Sequence, residues 1–251
     1  MVDANRTLSE VVSDLKYLIW SALRGTSLPQ VGTHPVIVEL VGPAGAGKSA
    51  VADVLRREHA LRVSIWGLPL RFVSWSAVTL LPTFLALCLG THSVPWEEMK
   101  HMIRLGALRR FLARAATPRQ RLIVLDEGPV FALSWLQVFG GERLAGNAAY
   151  QRWVRRTLAA WAGMLDVIVR LDAPDPVLAQ RIRSREKPHM VKHQSDQEIA
   201  AFAARFRAAF AAVITAVTSL NGTRQLTVSA EPAHPEDLAA RVLQGLATLP
   251  T

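Results

Sequence analysis

The sequence predicts an α/β chain, because short apolar runs of strand character alternate with segments of helical period. Three stretches carry the prediction. PVIVELV (35–41) runs through GPAGAGKS into the helical SAVADVLRREHA. RLIVL (121–125) ends in two adjacent carboxylates, Asp126 and Glu127, and Gly128-Pro129 closes it. DVIVRL (166–171) turns through APDP into VLAQRIRSR. Each apolar run is too short for a helix and is bounded by turn residues, as a buried strand is.

Taken in order, the chain begins with TLSEVVSDLKYLIWSALRG, an amphipathic helix with Leu8, Val11, Val12, Leu15, Ile19 and Leu23 on its stripe. SLPQVGTHP links it to the first strand, so residues 1–33 form a unit ahead of a domain at 34–251. The helix is expected to pack on that domain or to pair with a second subunit.

GPAGAGKS, from Gly42 to Ser49, fits G-x-x-x-x-G-K-[ST] between a strand and a helix. This loop binds phosphate through its backbone. Gly42, Gly45 and Gly47 permit close approach. The N–H groups that follow Pro43, from Ala44 through Ala46 to Ala50, join the helix N-terminus around an anion. Lys48 reaches β- and γ-phosphates, and the Ser49 hydroxyl is a Mg²⁺ ligand. Ala50, Val51, Val54 and Leu55 form the inward stripe of the following helix. LRVSIWG (61–67) reads as the second strand.

A nucleotide–Mg²⁺ complex gives the acidic strand end its purpose. Asp126 follows the strand directly and is the metal-site residue; Glu127 shares the metal, acts as a base or faces an acceptor. A strand-end or capping acid is the plainer alternative for Asp126. Downstream, VLAQRIRSR places Arg181 and Arg185 four apart on one helical face, with Arg183 off it and Lys187 and His189 following. A cationic cluster at a phosphate site and a solvated basic face are the two readings.

The order of phosphate loop, acid-ended strand and LDAPDPVLAQRIRSR resembles the nucleoside and nucleotide kinases of the P-loop superfamily, with thymidylate kinases the member named for it. QLTVSAEPAHPEDLAARVLQGL is similar to their last strand, adenine-side loop and final helix. The resemblance implies a P-loop NTPase-type three-layer sandwich, with a parallel sheet of about five strands and helices on both faces. It implies ATP and Mg²⁺ as cofactors and ligands at the C-terminal strand ends. Lys48, Asp126, Glu127, Arg181 and Arg185 would be catalytic, and Arg183 would help hold the nucleotide. A lid-like segment at 181–196 and an acceptor-site insert at 68–118 would flank them. The chain carries Asp126-Glu127-Gly128 where thymidylate kinases have Asp-Arg, so a nucleoside monophosphate acceptor is not implied.

The insert is unusual. From Phe72 to Trp96 there is no Asp, Glu, Lys or Arg. It reads as core-facing helices broken near Pro82, as a membrane span, or as an exposed apolar groove lined by Trp75, Phe84 and Trp96. A span would cut the sheet in two. Arg104, Arg109, Arg110 and Arg114 stud the next helix; Arg152, Arg155 and Arg156 edge a later one. In EIAAFAARFRAAF, Phe202, Phe206 and Phe210 recur at four-residue steps and read as core.

The formal net charge of +9 favours anionic partners. Cys88 is the single cysteine, so neither a disulfide framework nor a cysteine-based zinc site is expected. MVDANRTLSE lacks a signal-peptide pattern, and the expected location is cytoplasmic, with a peripheral contact at the inner face of a membrane as the further option. Specific nucleic-acid binding is not expected, since no recognition module is present. The leading function is ATP-dependent phosphoryl transfer to a small-molecule acceptor, anionic or apolar. The alternatives are a kinase for a lipid-linked acceptor at a membrane surface and a nucleotide-gated ATPase or binding module.

Overall fold

The computed structural model describes residues 35–58, 60–91, 95–115, 122–186, 188–231 and 234–248. The expected N-terminal helix and linker at 1–33, and Lys187, lie outside the described residues.

One parallel sheet has the order β2-β3-β1-β4-β5. Its strands are β1 (Val36–Val41), β2 (Leu61–Val63), β3 (Leu122–Asp126), β4 (Val167–Asp172) and β5 (Arg224–Ser229). Between them run α1 (Lys48–Arg57), α2 (Leu70–Thr91), α3 (Trp96–Ala115), α4 (Pro129–Ala145), α5 (Ala148–Ala162), α6 (Asp175–Ser184) and α7 (Asp196–Asn221), and α8 (Pro235–Thr248) follows β5. The fold is the expected three-layer α/β sandwich.

Alternation along β1 separates the two faces of the sheet. Val38 and Leu40 pack with Val51 and Leu55 of α1 and Leu238 and Val242 of α8. Ile37 and Val41 pack with Leu105, Leu133, Trp161 and Phe210, from α3, α4, α5 and α7. The register sets Leu40 opposite Asp126 and Val41 opposite Arg170. The loops leaving β1, β3 and β4 therefore gather at one sheet edge.

Three local expectations are corrected. β2 stops at Val63 rather than running to residue 67, because the Trp66 N–H bonds back to the Ser64 hydroxyl at 3.2 Å and bends the chain. Ala50 is exposed rather than inward, and Ala52 takes its place in the stripe of α1. α2 is one helix that runs through Pro82 and packs on α3 and α5, a layer away from the sheet. Pro82 removes the hydrogen bond that its position would donate to the Val78 carbonyl, yet the helix continues through it. The stretch faces the core along one side only: Leu87 joins a core cluster with Leu80 and Phe84 packed beside it, and among the described side chains of α2 only Phe72, Ser76 and Leu87 are buried.

Glu39 breaks the alternation of β1. It shares the face of Ile37 and Val41 and is completely buried. Its carboxyl oxygens accept the N–H groups of Val130 and Phe131, each at 2.9 Å, at the start of α4. Helix N-termini leave such donors unpaired, and here a distant side chain supplies the missing cap. Burial pushes the Glu39 pKa from 4.5 up to about 8, against the opposing pull of these backbone donors.

Removing the cap by Glu39→Ala is expected to cost about 1–3 kcal/mol, read by chemical denaturation. The pKa shift gives a second signature. The folded state binds a proton that the unfolded state releases, so its contribution is complete below about pH 4.5 and is lost as pH rises through about 8. Stability should fall across that window, and Glu39→Gln should flatten the fall.

Candidate active site

A cleft of about 470 Å³ opens at the gathered strand ends. Its floor is the loop between β1 and α1. Gly42 and Gly45 are fixed by contact: a Cβ on Gly42 would lie 2.0 Å from the Leu171 carbonyl oxygen, and one on Gly45 2.9 Å from that of Leu178. Both adopt positive φ, 151° and 85°. The loop is therefore wedged against β4 and α6 with its backbone exposed to the cleft. Gly42, Ala44, Gly45, Gly47, Lys48, Ser49 and Ala50 line it. Ala46 instead packs in the core, and its N–H closes a turn on the Pro43 carbonyl at 3.3 Å.

Lys48 donates to the carbonyls of Gly42 and Pro43 at 2.6 and 2.9 Å. Burial pulls its pKa down from 10.5 to about 8, against the attraction of Asp126 and Glu127. Ser49 Oγ lies 3.4 Å from Asp126 Oδ1. A hydroxyl and a carboxylate at this spacing are the hard oxygen donors that Mg²⁺ takes alongside phosphate and water. The donor set fits that ion. Among the described residues no group of three or more His, Cys, Asp or Glu side chains could hold a metal by itself.

Asp126 is held by Arg62 of β2, whose guanidinium also reaches Asp53 on α1 at 2.6 Å. This arginine was not singled out in the sequence. Its only signal was a charge in a short edge strand.

Glu127 lines the cleft with φ of 66°, the single non-glycine positive φ among the described residues. Such a conformation costs on the order of 1–3 kcal/mol and marks functional sites. Its carbonyl accepts the Ile65 N–H at 3.2 Å. Burial, then the neighbouring Asp126 charge, holds its carboxyl above the usual range, opposed by Lys48, a hydrogen bond from Trp66 and Arg62.

The basic segment differs from expectation. α6 ends at Ser184, and Arg185 is extended rather than helical, so Arg181 and Arg185 do not share a helical face. Both still line the cleft. Arg181 donates to the Ala230 carbonyl at 2.9 Å, beside the loop after β5. Arg183 is turned away, paired with Asp196 at 2.5 Å. His189 lines the cleft and meets Phe202 edge-on at 5.7 Å. Arg207, unremarked in the sequence, clasps Asp172 through Nε at 2.9 Å and Asp175 at 2.6 Å, fastening α7 to the turn before α6.

The far wall is aromatic. Phe131, Trp135 and Phe139 come from α4, and Phe202, Phe206 and Phe210 from α7. Phe206 and Phe210 are core residues as expected, whereas Phe202 is partly buried, and all three also form this wall. Trp135 stacks on His101 at 3.8 Å and touches Phe139 at 4.8 Å. Burial lowers the His101 pKa. Trp75, Phe84 and Trp96 do not line this cleft; Trp75 and Trp96 are exposed and Phe84 packs beside Leu87.

The Lys48 shift sets a pH dependence for any phosphate ligand. The ammonium is charged below about pH 8 and lost above it, so affinity for an adenine nucleotide should weaken as pH rises through about 8. Isothermal titration across that range should show the break, and Lys48→Ala should abolish it together with most of the binding.

No protein-family model matches the sequence, and no curated protein does. Solved structures do match in fold. Deoxyadenosine kinase from M. mycoides superposes with a TM-score of 0.50 at 12% identity, over 85% of this chain and all of that one. Thymidylate kinase from Candida albicans gives 0.51 at 12% identity, over 84% of this chain and 90% of that one. At this identity the likeness is one of architecture alone: the chain shares the α/β fold of these two enzymes.

Proposed function

We propose that this protein transfers the γ-phosphoryl group of ATP to a hydroxyl of a small molecule whose body rests on the aromatic wall. One observation carries the reading. A phosphate-binding loop, whose Ser49 hydroxyl backs onto the buried Asp126 carboxylate at 3.4 Å, and a glutamate with positive φ line one cleft whose opposite wall is apolar.

The roles follow from placement. The backbone from Gly42 to Ala50 and Lys48 hold the β- and γ-phosphates. Ser49 and Asp126 would hold Mg²⁺, which supplies charge neutralisation on the phosphate oxygens. Glu127 takes the proton of the acceptor hydroxyl as its oxygen bonds to the γ-phosphorus and the bond to the bridging oxygen breaks, leaving ADP. Its raised pKa suits a base. Lys48 and Arg185 stabilise the charge that spreads over the transferring group. The wall of Phe131, Trp135 and Phe139 favours an acceptor with a flat or hydrocarbon body, and excludes water that would otherwise take the phosphoryl group.

A transfer assay with γ-labelled ATP and pooled nucleosides, nucleotides, sugars and hydrophobic alcohols tests this. Label should move to an acceptor. Glu127→Gln should lower kcat by about 10²–10⁴-fold with nucleotide binding retained. Trp135→Ala should raise KM more than it lowers kcat. Label released only as phosphate, with every acceptor present, would instead favour a nucleotide-gated ATPase.

A further inference from the structure

α2 leaves an apolar face in solvent. Leu70, Val78, Leu81, Leu85 and Leu89 are 50–80% exposed. At 100° per residue they fall within one arc of about 100°. Trp75, 62% exposed, borders the arc. The opposite side is also apolar, with Phe72 and Leu87 buried. A helix apolar all round is one that is covered all round. The span Leu70–Gly90 has mean hydropathy 1.9, yet only 17% of its apolar window is buried. Isolated exposed leucines need no account, but a stripe running from Val78 to Leu89, with only Arg71 and Ser74 interrupting the arc before it, marks a contact surface.

The charges beside the stripe select its partner. Arg71 lies on α2 itself, with its guanidinium 4.9 Å from the Phe72 ring, and Arg114 of α3 approaches the same ring at 5.6 Å. Arg110 donates to the hydroxyls of Ser76 and Thr79 on α2 at 2.8 and 3.0 Å. Arg109 is exposed next to it. None of these arginines is ion-paired among the described residues. Burial, then repulsion from Arg109 and Arg114, holds the Arg110 pKa below its usual value. An apolar stripe edged by Arg71 and Trp75, with Arg110 and Arg114 behind it on the protein side of the helix, matches the boundary between acyl chains and anionic headgroups.

We propose that α2 docks in the plane of an anionic lipid surface, with Val78, Leu81, Leu85 and Leu89 in the acyl layer and Arg71, Arg110 and Arg114 at the headgroups. The contact is peripheral, because α2 rests along its other side on α3 and α5. It is independent of the proposed chemistry, since no residue of α2 lines the cleft.

The test is co-sedimentation of the full chain with vesicles of phosphatidylcholine alone or mixed equally with phosphatidylglycerol. Binding is expected to the mixed vesicles and to weaken with salt. The exposed pair Leu81→Glu and Leu85→Glu should reduce it more than about tenfold, and Arg71→Ala or Arg114→Ala about fivefold each. Thermal unfolding and nucleotide binding of these variants should match the parent. No binding to mixed vesicles overturns the proposal. So does a stable dimer that the glutamate pair dissociates, which would make a second copy the occupant. Binding that appears only after Leu15→Glu and Ile19→Glu would identify the N-terminal segment as the cover and overturn it too.

Discussion

The buried side chain of Glu39 ties the phosphate-binding half of the site to the acceptor-facing half. Glu39 is on the strand that delivers the glycine loop, and it holds the first N–H groups of the helix that delivers Phe131 and Trp135. The turn between β3 and α4 must fit around it. A Cβ on Gly128 would come within 2.8 Å of the Glu39 carboxyl carbon, so that position has no room for a side chain. With Gly128 committed to this contact, the change of direction from strand to helix falls on Glu127, which adopts φ of 66°. The strain at the proposed base is therefore sustained by a hydrogen-bonded anchor one residue away. Its cost is offset by donors that would otherwise be orphaned at a helix end.

The phosphate loop and Asp126 were legible because their chemistry is local. A strand, a fixed glycine spacing and a helix define the loop within a few residues, and a carboxylate at a strand end needs only its own strand to be recognised. Glu39, Arg62 and Arg207 were not legible for the opposite reason. Their partners lie far along the chain, 91 residues away for Glu39 and Val130. In VIVELV a glutamate reads merely as an interruption. The Phe202, Phe206 and Phe210 period correctly indicated a buried stripe, but no period reveals that a core edge also walls a cleft. Arg185 failed as a helical residue because the chain leaves α6 after Ser184 and is extended at Arg185.

That early end changes the electrostatics of the site. Of the arginines in the basic segment, Arg183 is neutralised by Asp196 and Arg181 is engaged by a backbone carbonyl near the last strand. Arg185 remains beside Lys48, close enough to depress its pKa. Three cations, Lys48, Arg181 and Arg185, thus line the cleft, with Arg183 withdrawn from it. In a partly closed cleft that is a substantial field, since each is less screened there than at the surface.

The remaining positive charge lies elsewhere. Arg62 and Arg207 are locked into carboxylates that shape the site, so the excess behind the net +9 falls largely on exposed helices, including α3 and α5. α2 rests on these same helices, and their contact explains why its sequence pattern misled. An amphipathic helix announces its buried face by contrast with a polar one. α2 offers no contrast, because one apolar side meets protein and the other meets solvent in the isolated chain. A helix in the core of a larger domain would show the same pattern. Only its position, one layer out from a sheet whose faces α1, α3, α4, α5, α7 and α8 already cover, separates the two cases. The apolar excess of α2 is therefore not needed to complete the core, and its physical account must lie in what the exposed side meets.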